Sequence, residues 1–143
     1  MGLFQGLDIS ATGLTANRFR MDVISANIAN ANTTRARRVD GEWMPYQRQM
    51  VVMQPAQSSF RDVLNRKLEG VKVTRVVKDE TPFKLLYQPE HPDADENGYV
   101  RLPNVDLLKE MVDMVTATRS YEANVTAFNA SKQMALKALE IGR

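Results

Sequence analysis

The chain has 143 residues, 19 of them basic and 17 acidic, for a formal charge of +2, and it contains no cysteine. That balance leaves no electrostatic footprint for nucleic acid or an anionic membrane, and the missing thiols exclude disulfides, thiolate metal sites and cysteine nucleophiles. The start MGLFQGLDIS lacks a basic and then apolar leader, and no stretch approaches the roughly 20 apolar residues of a spanning helix, so neither signal-peptide export nor direct membrane insertion is expected.

From the N-terminus, Leu7, Leu14, Met21 and Ile28 recur every seven residues, with Leu3, Ser10, Asn17, Ile24 and Ala31 as the companion row of a coiled-coil stripe. Asp8 or Ser10 can cap this helix, and Asn30, Asn32 and Thr33-Thr34 favour its end, so the spacing predicts helix over 8–31. Gly13 weakens it by about 1 kcal/mol relative to alanine, and Ser10 and Asn17 place polar groups in the seam. These costs predict terminal helices that become ordered on assembly.

Residues 35–60 carry Trp43, Pro45, Tyr46, several glutamines and the apolar triplet Val51-Val52-Met53 without a sustained period, and read as loop with one strand. Gly70 to Lys78 is rich in β-branched residues and begins with clean alternation. Phe83 to Tyr87 follows after Asp79, Glu80 and Pro82, and the two runs are expected to form a small hairpin or strand pair. Pro89, Pro92, Gly98 and Pro103 punctuate a loop, after which Asn104 is the expected N-cap and Asp106 complements the helix dipole.

The last helix, from about Val105 to Ile141, would be roughly 55 Å long. Leu107, Met111, Met114, Thr118, Tyr121, Val125, Phe128, Lys132, Ala135 and Leu139 repeat along it at spacings of four and three. It exceeds what a chain of this size needs to cover its own core, so it is expected to pack on other molecules. Ala26, Ala29, Ala31, Ala117, Ala123 and Ala127 would let helix axes approach closely.

The expected fold is therefore mainly α: long terminal helices forming a discontinuous coiled-coil unit, with a small β-rich or irregular middle. The divisions fall at 1–34, 35–103 and 104–143. The subunit-packing residues are Leu7, Leu14, Met21, Ile24, Ile28, Leu107, Met111, Met114, Thr118, Tyr121, Val125, Phe128 and Leu139. Leftover apolar faces arranged head to tail would generate an open helical filament.

Chemistry has weaker candidates. Asp93-Ala94-Asp95-Glu96-Asn97-Gly98 reproduces the first half of a calcium-binding EF-hand loop, making a calcium-dependent binding module the alternative function. The twelfth place, however, holds Asn104 rather than a bidentate carboxylate, and an Asx-rich turn closing on glycine accounts for the same residues. His91 has no nucleophile context around it. Arg35, Arg37 and Arg38 near Trp43, Tyr46 and Arg48 form too short a basic-aromatic cluster for nucleic acid, and fit a solvated or ion-pairing surface. Met111, Met114, Met134, Tyr121 and Phe128 read as packing surface rather than a cofactor box. No catalytic, cofactor or metal residue is assigned.

Ser10 to Leu14 together with Arg20 to Thr33 resembles the signature shared by the rod and hook proteins of the bacterial flagellum. Glu110-Met111-Val112, Arg119 to Asn124 and Ala138 to Gly142 resemble that family's other end. Between them, Gly70 to Val73, Tyr87-Gln88-Pro89, His91 to Val100 and Pro103-Asn104-Val105 are similar to its short proximal-rod members, so the resemblance covers nearly the whole chain. Thr34-Arg35-Ala36-Arg37 stands where many relatives carry a proline-glycine-tyrosine turn, closer to the pattern of the short rod subunit. The resemblance implies a non-enzymatic axial component of the basal body, exported through the flagellar type III apparatus. It would assemble with itself and other rod subunits into the shaft that carries torque, its terminal helices forming the inner layer.

Overall fold

Helix α1 spans Leu3–Ala29 in the computed structural model, which describes residues 3–56 and 70–141. It starts earlier than the capping pattern at Asp8 suggests and closes through the Asn30 amide and side chain, both of which donate to the Ala26 carbonyl. The other long helix, α2, spans Leu107–Ile141. Its N-cap is Asp106, not Asn104: Asp106 Oδ1 accepts from the Leu108 and Lys109 amides at 3.1 and 3.4 Å. Two long terminal helices around a strand-containing middle is the architecture expected from sequence.

Six strands make three two-stranded sheets: β1 (Arg37–Val39) with β2 (Glu42–Met44), β3 (Gln49–Pro55) with β4 (Val71–Lys78), and β5 (Lys84–Tyr87) with β6 (Tyr99–Leu102). Both expected strands around 70–78 and 83–87 exist, but they do not pair with each other. The Asp79 amide donates to the Arg48 carbonyl, continuing the β3–β4 ladder. The next residues then turn through the Thr81 amide to Asp79 Oδ1, with Pro82 contributing no donor. The chain leaves the sheet there, and β5 finds its partner in β6, antiparallel from Lys84↔Leu102 to Tyr87↔Tyr99.

The segment expected to be loop with one strand contains β3 and, beyond that expectation, the β1–β2 hairpin, whose two-residue connection Asp40-Gly41 has φ of 50° and 93°. Asp-Gly is a strong local hairpin signal, because both residues must adopt positive φ for the turn to match strand twist. Residues 57–60 of that expected loop lie outside the described residues.

The chain divides into two compact units. The first takes α1 up to Met21, β3 from Val51, β4 to Arg75 and α2 from Val115. Its helices run antiparallel: a Cβ on Gly13 would meet Asn124, one on Gly6 would meet Ser131, and Thr118 lies against Met21. The most buried positions are small, namely Ser10, Gly13, Ala16 and Ala117, so the backbones approach closely. The second unit takes α1 from Asp22, the β1–β2 and β5–β6 sheets and α2 to Met114. Its core joins Ile24, Pro45, Val100, Pro103 and Val105 to three buried polar side chains, Asn27, Asn104 and Glu110.

Candidate functional site

The second unit is organised around a buried carboxylate. Glu110, 0% exposed, sits one turn into α2, and both of its oxygens are used. Oε2 accepts from Asn27 Nδ2 at 2.9 Å, and Oε1 accepts from Arg48 Nε at 2.6 Å. Asn27 is itself 1% exposed. Its amide oxygen accepts from the Tyr46 hydroxyl and the Gln49 amide, each at 3.0 Å, while Nδ2 also donates to the Gln49 carbonyl at 2.8 Å. A buried asparagine with this many bonds fixes where the β3 segment meets α1.

Arg48 faces two further carboxylates, Asp79 at 3.3 Å and Asp113 at 3.6 Å. Burial alone would lower its pKa, but the hydrogen bonds and charges of Glu110 and Asp79 outweigh that and raise it. Burial, reinforced by the charge of Glu110, raises the Tyr46 hydroxyl as well, keeping it a donor. Asn104 completes the node: its carbonyl accepts from the Arg48 amide at 2.8 Å, and its amide nitrogen donates to Asp79 O and to Thr81. Sequence reading missed this cluster. Its members are far apart in the chain, and the only local hint was a glutamate at a helical position next to the apolar row.

The expected packing residues divide into two sets. Leu7, Leu14, Met21, Ile28, Met114, Thr118, Tyr121, Val125 and Phe128 are half-buried, and Ile24 is buried. Leu107, Met111 and Leu139 are exposed, together with Leu108, Val112, Met134 and Leu136, which the row did not include. Leu108 and Leu139 expose 73% and 72% of their surface.

The acidic loop 93–98 is built as a turn. The Asp93 carboxylate pairs with the Arg35 guanidinium and accepts from the Thr34 hydroxyl, and these bonds hold its pKa below the usual carboxylate range. Asp95 Oδ1 accepts the amides of Asn97 and Tyr99, both at 2.9 Å, an Asx-turn arrangement. Gly98, at φ +80°, closes the turn where a Cβ would meet the Tyr87 ring at 3.0 Å. Among the described residues no group of three or more His, Asp or Glu side chains is placed to hold a metal ion, and nothing supports the calcium reading.

Residues 7–37 match the family model described as flagella basal body rod protein, and residues 96–141 match that of the flagellar basal body rod FlgEFG protein C-terminal. Over its whole length the chain is 54% identical to the flagellar basal-body rod protein FlgC of Bacillus subtilis, covering all of that protein. The chain belongs to the FlgC family of flagellar basal-body rod proteins. It is also similar to FlgC of Borreliella burgdorferi, 46% identical over 99% of this chain and 98% of that protein. FlgC of Salmonella typhimurium is 40% identical over the full length of both. Membership of the FlgC family makes the chain a structural subunit of the proximal rod, located in the basal body. The two matched stretches contain most of α1 and all of α2, the elements that carry the seams. No helix among the described residues is long and apolar enough to cross a membrane.

Proposed function

We propose that the chain leaves the cell through the flagellar type III export apparatus and assembles helically, with itself and with other rod subunits, into the shaft that transmits torque. Its action is mechanical, and no enzymatic step is involved. The observation that carries this reading is the pair of uncovered apolar stretches on α2, Leu107, Leu108, Met111 and Val112 near one end and Met134, Leu136 and Leu139 near the other. Burial of such side chains against a neighbour gains about 1.5–3 kcal/mol each, and head-to-tail repetition of one contact extends indefinitely. The half-buried set centred on Tyr121, Val125 and Phe128 holds the helix in place for that contact. In this reading 1–34 and 104–143 are the assembling segments and 35–103 the insertion between them.

Leu108→Asp and Leu139→Asp test it, since both positions are exposed and neither change disturbs the core. In a strain whose only copy carries either change, the subunit is expected in the export fraction but absent from finished rods, with motility lost. Normal rods and normal swimming in both strains would show that these faces do not take part in assembly.

A further inference from the structure

Away from the helices, the second unit has a concave site of about 240 Å³ formed by the β1–β2 hairpin, the β6 strand and the 93–98 turn. Trp43 and Tyr99 supply its aromatic wall, and Thr34, Glu42, Asp95 and Arg101 its polar one. We propose that this pocket binds a saccharide ring of a hydroxyl-rich glycan. The proposal is independent of how the helices assemble.

Trp43 is the only tryptophan of the chain and is 53% exposed, a large apolar surface displayed on a short hairpin. Tyr99 is held edge-on to Tyr87, ring centroids 5.3 Å apart, so its ring is fixed rather than free to collapse into the pocket.

The polar wall decides the ligand class. A cation would call for acceptors alone, an anion for donors alone, and an apolar side chain for neither. Here a donor, the Arg101 guanidinium, stands beside acceptors (the Glu42 carboxylate, the second oxygen of Asp95 and the Thr34 hydroxyl oxygen, whose proton goes to Asp93) around aromatic faces. Glu42 and Arg101 make no side-chain hydrogen bond or ion pair among the described residues, so both are available. Asp93, the third carboxylate on the wall, is already neutralised by Arg35 and does not draw in a cation. A sugar ring offers an apolar face to stack on an aromatic and hydroxyls that both donate and accept at its edge.

Because Trp43 is the sole tryptophan, its fluorescence reports on this site alone. The full chain is titrated with chitotetraose, with cellotetraose and with an arginine-rich peptide. A saturable change in emission is expected with at least one oligosaccharide and none with the peptide. Glu42→Gln, which keeps the fluorophore, is expected to weaken binding roughly tenfold. Trp43→Ala, checked for folding by circular dichroism, is expected to abolish the calorimetric signal. Co-sedimentation with purified cell-wall glycan then separates a polymer ligand from a free sugar. No saturable response to either oligosaccharide, a response to the peptide alone, or wild-type affinity in Glu42→Gln would each overturn the assignment.

Discussion

Glu110 shows how much one side chain can decide. It is an ionised group taken wholly out of water, tolerable only because Arg48 and Asn27 together occupy both of its oxygens. Arg48→Met strands that charge and is expected to cost about 3–5 kcal/mol, measured as a drop in denaturant midpoint, whereas adding Glu110→Leu to the same chain should recover much of the loss. Gly13 is the counterpart on α1. Helix propensity alone predicts that Gly13→Ala stabilises by about 1 kcal/mol. A Cβ there, however, would stand 2.8 Å from Asn124 Oδ1, and turning Asn124 aside breaks its bond to the Ser120 carbonyl. Gly13→Ala is therefore expected to destabilise, and Asn124→Ala in the same chain to reverse the sign, a coupling that a double-mutant cycle reads directly. Asp79 gives the node its pH response. The Thr81 amide, with the Thr81 hydroxyl and Arg48, holds its carboxyl below the ordinary 3.8 despite burial. A folded pKa below the unfolded one adds stability above the unfolded value, and that stability is lost as pH falls through the folded value. The melting-temperature gap between wild type and Asp79→Asn should thus be constant above about pH 5 and close as the pH drops below 4.

The elements differ in how far the sequence discloses them. Both helices were legible because a spacing of three and four is a local property, visible without knowing the partner. Strand pairing was not, since β4 reads equally well against β5 or β3. The choice was made by Asp79, Thr81 and Asn104, which bind across 23 to 25 residues. The Asp40-Gly41 turn was legible and went unread amid flanking residues without period. On α2 apolar spacing singles out Val125, which the structure finds half-buried, but spacing carries no information on Glu110, whose burial depends on Arg48 and Asn27 from distant parts of the chain. Val125 offers the element-scale test. Val125→Asp sets an unpaired carboxylate in a half-buried stripe, and should cost several kcal/mol of helix packing. On the proposed export route, which does not depend on the assembled helix packing, the mutant subunit should still reach the medium while rods fail to form. Intact rods would show the stripe to be solvated in the assembly.

For the molecule as a whole, the two units are held by different means, and this predicts an uneven response to assembly. In the first unit the deepest positions are Ser10, Gly13, Ala16 and Ala117, which bury little apolar area, while larger side chains such as Met134, Leu136 and Leu139 remain outside. Little of the hydrophobic gain that orders a long helix is available there without a neighbour. In the second unit Asn27, Arg48, Asn104 and Glu110 tie α1, β3, the 79–81 turn and the start of α2 together by directional bonds that need no second molecule. Local opening free energies should follow that division. In hydrogen exchange on a dilute monomer, amides of 5–21 and 118–139 should exchange early, and those of 24–29 and 107–114 late. In purified basal bodies the first set should become protected while the second changes little. Uniform protection along α1 and α2 in the monomer would mean that the small-residue seam is self-sufficient. In that case the exposed apolar stretches, and not the ordering of the helices, would be the whole contribution of assembly.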